Sequence, residues 1–254
     1  MKKLTIILTI FLFSGMSTFA QLIYPSDSVI NQTDENGLKQ GYWEETIGRS
    51  KTVGTYVDDM KDGTWVYYHP KGIINTIQSY NMGIKEGLFV EISDRGYYMS
   101  EKFYKDDVLH GPVREYERGS RVILEAYYNH GLLDGEKKAY YNTGRPQEES
   151  TYENGIKQGA SKWFNPDGSV IAEYFYKDGN FEGIQKTFYP DGKLMTEENY
   201  EHNLKNGPFK EYYESGNIKV EGVYENDLKH GVWIEYDEEG NVISETKFKK
   251  GEEK

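Results

Sequence analysis

The chain is predicted to be all-β, an extended single-layer solenoid of about nine tandem 24-residue β-hairpin repeats, and three observations predict it. Glycine recurs at Gly63, Gly87, Gly111, Gly135, Gly159, Gly183, Gly207 and Gly231, each 24 residues after the last, with Gly41 placed 22 residues ahead of the series. Rings recur at the same interval in a second column, Tyr56, Tyr80, Tyr104, Tyr128, Tyr152, Tyr176, Tyr200, Tyr224 and Phe248. Turn chemistry fills the gaps between strand-forming runs, and no stretch past the first twenty residues carries helical periodicity.

In chain order, residues 1–20 come first. Lys2 and Lys3 precede an apolar run from Leu4 to Phe13 and a small, polar stretch from Ser14 to Thr18, the three-part form of a secretory signal peptide. The apolar run is short of the roughly 20 residues that span a bilayer, so the expectation is cleavage between Ala20 and Gln21 and no transmembrane anchor. The absence of Cys rules out lipid attachment of the bacterial lipoprotein type. Residues 21–36 are read as an N-terminal cap, 37–250 as the repeat array and 251–254 as a tail.

Within a repeat, strand-forming runs such as Trp65-Val66-Tyr67-Tyr68 lead into a turn, and runs such as Val170 to Tyr176 lead out of one. Asn165-Pro166-Asp167-Gly168 and Tyr189-Pro190-Asp191-Gly192 put Pro where φ must be near −65° and Gly where it must be positive. The connection to the next repeat is a second tight turn, as at Asn154-Gly155 and Asp178-Gly179. A single hairpin is only marginally stable in water, so the ring columns are assigned to packing between neighbours.

The charge balance excludes several functions. With 42 acidic and 30 basic side chains the net charge is −12. Removal of residues 1–20 deletes two lysines and no acid, leaving 28 against 42 and a net −14. Nucleic acid and anionic lipid are bound through clustered Lys and Arg, so both are disfavoured as partners. The zero cysteine count excludes thiolate zinc sites and thiol nucleophiles. The chain has no G-x-S-x-G, H-E-x-x-H, G-x-x-x-x-G-K-[ST] or G-x-G-x-x-G, so catalytic, cofactor and metal residues are all expected to be absent.

Three constellations are weighed against that expectation. His110 and His230 share one repeat position five repeats apart, roughly 48 Å at two strand spacings per repeat, and cannot share a metal. The Glu column at 101, 125, 149, 173, 197, 221 and 245 places successive members roughly 9.6 Å apart, too far for one cation. Its members are expected to pair across the ladder instead, Arg114 with Glu125, Lys138 with Glu149, Lys162 with Glu173, Lys186 with Glu197 and Lys210 with Glu221. Trp43, Trp65 and Trp233 follow an anchor glycine by two residues, a packing position shared with Phe89 and Phe209; Trp163 stands outside that column and is the candidate exposed contact.

The run from Gly207 to Ile218, followed by Glu221-Gly222-Val223-Tyr224-Glu225-Asn226, resembles the variant MORN repeat of many bacterial proteins over residues 37–250. The resemblance implies a hairpin solenoid used as an interaction module, and the chain is similar to the YwqK-type group labelled toxin-antitoxin antitoxins. The expected function is an exported, non-catalytic, periplasmic or secreted bacterial scaffold that binds a protein partner. The alternatives are a carbohydrate or cell-envelope binding module and an antitoxin-like inhibitor.

Overall fold

The computed structural model describes residues 29–254, so the proposed cleavage site at Ala20 and Gln21 lies outside the described residues. The expectation of an all-β array holds: 21 antiparallel strands form one open sheet, and no helix occurs among the described residues. Strands pair with their neighbours in sequence, from the short strand Gln32–Thr33 against Lys39–Ile47 to Val242–Lys249 against Glu252–Glu253. Asn180–Phe181 and Gly183–Phe188 both pair back to Val170–Lys177, as one strand split in two.

Two turns alternate along the sheet. At one edge most turns close with paired backbone bonds, as Asn165 N–H to Ser169 O at 2.8 Å and Gly168 N–H to Asn165 O at 2.9 Å. At the other edge the two turn residues both have positive φ, 50° at Asn154 and 82° at Gly155, the twist that matches right-handed strands. Repeats are stitched together at both edges. Gly155 N–H donates to Leu133 O of the preceding repeat at 2.7 Å, and Tyr213 Oη donates to Tyr236 O of the following one at 2.7 Å.

The anchor glycines sit at a recurring irregularity, and each faces the ring column across the ladder. Gly63 pairs with Tyr80, Gly87 with Tyr104, Gly111 with Tyr128 and Gly135 with Tyr152. Gly159 pairs with Tyr176, Gly183 with Tyr200, Gly207 with Tyr224 and Gly231 with Phe248. On the opposite side the register breaks. Thr55 pairs with Asp62 and Val53 with Val66, leaving residues 63–65 against Gly54 alone. The bulge requires positive φ at the anchor, 69° at Gly63 and 117° at Gly207, which is why only glycine holds the column.

Burial gives the two columns different structural roles. Gly111 is buried, but Gly63 is exposed and Gly87, Gly135, Gly159, Gly183, Gly207 and Gly231 are half-buried. The glycines therefore set the backbone torsion of each repeat, and the rings opposite them supply the packing. The bulge also frees the Thr55 carbonyl from the ladder, and Trp65 Nε1 donates to it at 3.0 Å. Trp233 does the same for Val223 O at 3.2 Å.

The core is thin and strongest in the first hairpins. Trp65, Val53 and Val66 are 0–1% exposed, and Phe89, Val90 and Trp233 are buried. Tyr56 is buried, and the later ring-column members Tyr80 to Phe248 are half-buried. Rings of the core meet edge-on at Tyr56 with Trp65, 4.7 Å apart, and at Tyr224 with Trp233, 4.9 Å apart.

Candidate functional site

Strand alternation gives the sheet two chemically distinct faces. One carries the ring column from Tyr56 to Phe248. Two residues before an anchor glycine stands a lysine in six repeats, Lys39, Lys61, Lys85, Lys157, Lys205 and Lys229. Its ammonium lies over the aromatic rings: Lys61 Nζ is 4.6 Å from Trp65 and 5.5 Å from Tyr80, and Lys229 Nζ is 4.3 Å from Trp233 and 5.1 Å from Phe248. Contacts of this kind contribute about 0.5–2 kcal/mol each. Sequence reasoning missed this column; the signal available was the fixed Lys-x-Gly spacing. Lys61 also donates to Tyr67 Oη at 2.6 Å. Burial and the neighbouring Tyr67 push the Tyr80 hydroxyl up to about 12.

A buried ion pair crosses the same face. Glu148, 7% exposed, accepts from Lys157 Nζ at 2.9 Å, with Lys137 Nζ at 3.7 Å. Burial pulls the Glu148 carboxyl up, but the two lysines outweigh it and hold the group below its ordinary 4.5.

The opposite face carries a ladder of alternating charge. All five expected pairs are opposite in register. Three close to ion pairs: Arg114 to Glu125 at 2.9 Å, Lys162 to Glu173 at 3.1 Å and Lys186 to Glu197 at 3.3 Å. The other two expectations are corrected. Lys138 turns along its own strand to Glu136 at 3.2 Å, and Lys210 does not close on Glu221.

The glutamates have a second partner that the charge pattern hid. The ring five residues after the next anchor donates its hydroxyl: Tyr140 to Glu125 at 2.6 Å, Tyr212 to Glu197 at 3.3 Å and Tyr236 to Glu221 at 2.8 Å. Burial raises the Glu125 carboxyl, yet Tyr140 and Arg114 together leave it below its usual value. Tyr140 is raised in turn, first by burial and then by Glu125.

Beside that ladder runs a row of exposed apolar side chains. Tyr127 is 46% exposed and Phe175 47%, and Ile184, Val223 and Val232 are also exposed. Tyr127 stands in the Gly111 hairpin and the other four in the consecutive hairpins from Gly159 to Gly231, with Glu136 and Thr151 interrupting the row between them; across the strands the five face Pro112, Ala160, Asn199, Pro208 and Lys247. Trp163, by contrast, is half-buried on the ring face, with Nε1 enclosed without a partner and Lys157 Nζ 5.8 Å from its ring.

A model of the MORN repeat variant matches residues 61–82, 133–154, 157–178, 181–202, 205–226 and 229–250, which is 132 of 254 residues. The chain belongs to the MORN-repeat family. No curated protein matches it. MORN repeats are generally protein or membrane interaction modules of a non-catalytic scaffold type. Each matched MORN stretch starts at or near the lysine column and ends in the following turn. Residues 83–132, between the first two matches, fold into the same hairpins; Lys85 and Phe89 there keep the lysine and ring positions, and Leu109 and Val113 replace them in the next repeat.

No group of three or more metal-ligating side chains occurs among the described residues. The predicted separation of His110 from His230 leaves a different histidine pair unanticipated. His110 and His130, from consecutive repeats, lie 5.4 Å apart ring to ring, because a turn residue of one MORN repeat sits edge-on against the strand start of the one before.

Proposed function

We propose that this MORN-repeat chain is an exported, non-catalytic scaffold that binds a protein partner through its ladder face. The observation that carries the reading is the exposed apolar row from Tyr127 to Val232 lying beside neutralised charge pairs. An apolar strip rimmed by polar groups is the composition of a protein-binding patch. Inhibition of a partner, as the antitoxin-like grouping implies, is one form such binding takes.

On this proposal residues 1–20 serve export, the described part of the 21–36 segment caps the first hairpin, and 37–250 form the array. The cap has a visible contact, since Asn31 Oδ1 accepts from Glu44 N at 2.8 Å. Residue-resolved crosslinking to the captured partner tests the surface: crosslinks on Tyr127, Phe175 and Val223 support it, and crosslinks confined to the ring face overturn it. Lipid is disfavoured by the acidic surface, and strong flotation with anionic liposomes at low salt contradicts that.

A further inference from the structure

The repeat anchored on Gly183 departs from its neighbours in several columns at once. The lysine that precedes the anchor is Phe181, and the position two after it, a ring in the first three and last two repeats, is Gln185. The apolar residue that opens the strand elsewhere, such as Ile156 or Leu204, is Asn180, and the strand itself is split into Asn180–Phe181 and Gly183–Phe188. Local rule-breaking concentrated at one place in a regular array is where function is expected.

The departures open a dimple of about 190 Å³ on the ring face. One wall is aromatic: Phe181 lies 5.3 Å from Tyr174 and 5.4 Å from Tyr200, ring to ring. The other wall is polar. Thr187 and Thr196 share a hydrogen bond of 2.6 Å across the strands, and Glu198 stands beside them. The Glu198 carboxylate accepts from Tyr200 Oη at 2.9 Å and from Lys205 Nζ at 2.9 Å, so its charge is already balanced and does not call for a cation. Gln185 is spent on the bulge, donating to Phe175 O at 3.1 Å and accepting from Phe175 N at 2.7 Å in place of the indole used elsewhere.

We propose that this dimple binds a single neutral sugar ring. Rings on one side suit the apolar face of a pyranose, hydroxyls and a neutralised carboxylate on the other suit its hydroxyl groups, and the volume is below the ~300 Å³ of drug-sized sites. The site is on the opposite face from the protein-binding row, so it stands or falls independently of that reading.

The test is saturation-transfer NMR on the full chain with methyl β-glucopyranoside and N-acetylglucosamine, with tyrosine-ring shifts followed in parallel. Transfer from the protein to at least one of the two sugars is expected. The double variant Tyr174→Gly/Gln185→Trp rebuilds the Gly54–Trp65 arrangement and refills the dimple, and it abolishes the transfer. Thr187→Val/Thr196→Val keeps the packing and weakens binding by about five-fold, the worth of one hydrogen bond. Absence of transfer to both sugars, or transfer undiminished in these variants, overturns the proposal. Capture of a protein partner is unchanged by either variant.

Discussion

The indole of Trp65 occupies the space in which a side chain at Gly54 would stand. The same relation joins Trp233 to Gly222, 168 residues along, so ring and glycine are two halves of one packing device. Neither glycine has the positive φ of the anchors. Their requirement is space, not backbone freedom. Gly54→Ala is expected to cost about 1–3 kcal/mol by overpacking and Trp65→Ala about 3–5 kcal/mol by cavity formation. The double variant is expected to fall well short of their sum, because removing the indole removes the clash. Urea unfolding of the four proteins measures it.

The Glu148 pair makes stability depend on acid. Its carboxyl is held below 4.5 in the folded chain, so its contribution is complete above that value and is lost as pH falls through the lower folded value. Lys157 is shifted the other way: burial lowers it, Glu148 outweighs burial, and its contribution persists until pH rises through a value above 10.5. Glu148→Gln is expected to cost about 1.5–3 kcal/mol at neutral pH, with a smaller cost below pH ~4. Thermal melts of both proteins across pH 3–8 check the convergence.

The ladder pairs shape a surface more than they hold it. Arg114→Glu and Glu125→Arg are each expected to lose no more than about 1 kcal/mol, and the swapped double variant to recover part of it. Failure of the swap to recover stability shows that Tyr140, not Arg114, is the partner that matters to Glu125.

The inter-repeat hydroxyl bonds are worth more per group. Tyr213→Phe removes the bond to Tyr236 O and leaves that carbonyl short of a donor, at about 1 kcal/mol. Hydrogen exchange is expected to quicken in the last two hairpins and to stay unchanged before residue 180.

Period was legible in the sequence where backbone geometry dictates residue type. The glycines from Gly63 to Gly231 stand out because a bulge needs positive φ, and the turn at Pro166-Asp167-Gly168 because each residue suits one torsion. Opposite register of the charge columns followed from the same count. Side-chain choice among competing partners was not legible: Lys138 reaches Glu136, and Tyr140 takes a share of Glu125. The ring-face lysines escaped notice because a lysine in a strand reads as a solvated residue, while here each lies over aromatic rings. Trp163 broke the tryptophan spacing and so drew the functional reading, whereas the exposed rings include Tyr127 and Phe175.

The most direct measurement of the central claim is a crosslinking pull-down from the native cell envelope with the full chain and, in parallel, with Tyr127→Ser/Phe175→Ser. The predicted result is one protein recovered in near-equal amount with the native chain and lost with the variant. Recovery of glycan fragments without any protein, or of the same protein equally with both chains, contradicts a protein-binding ladder face.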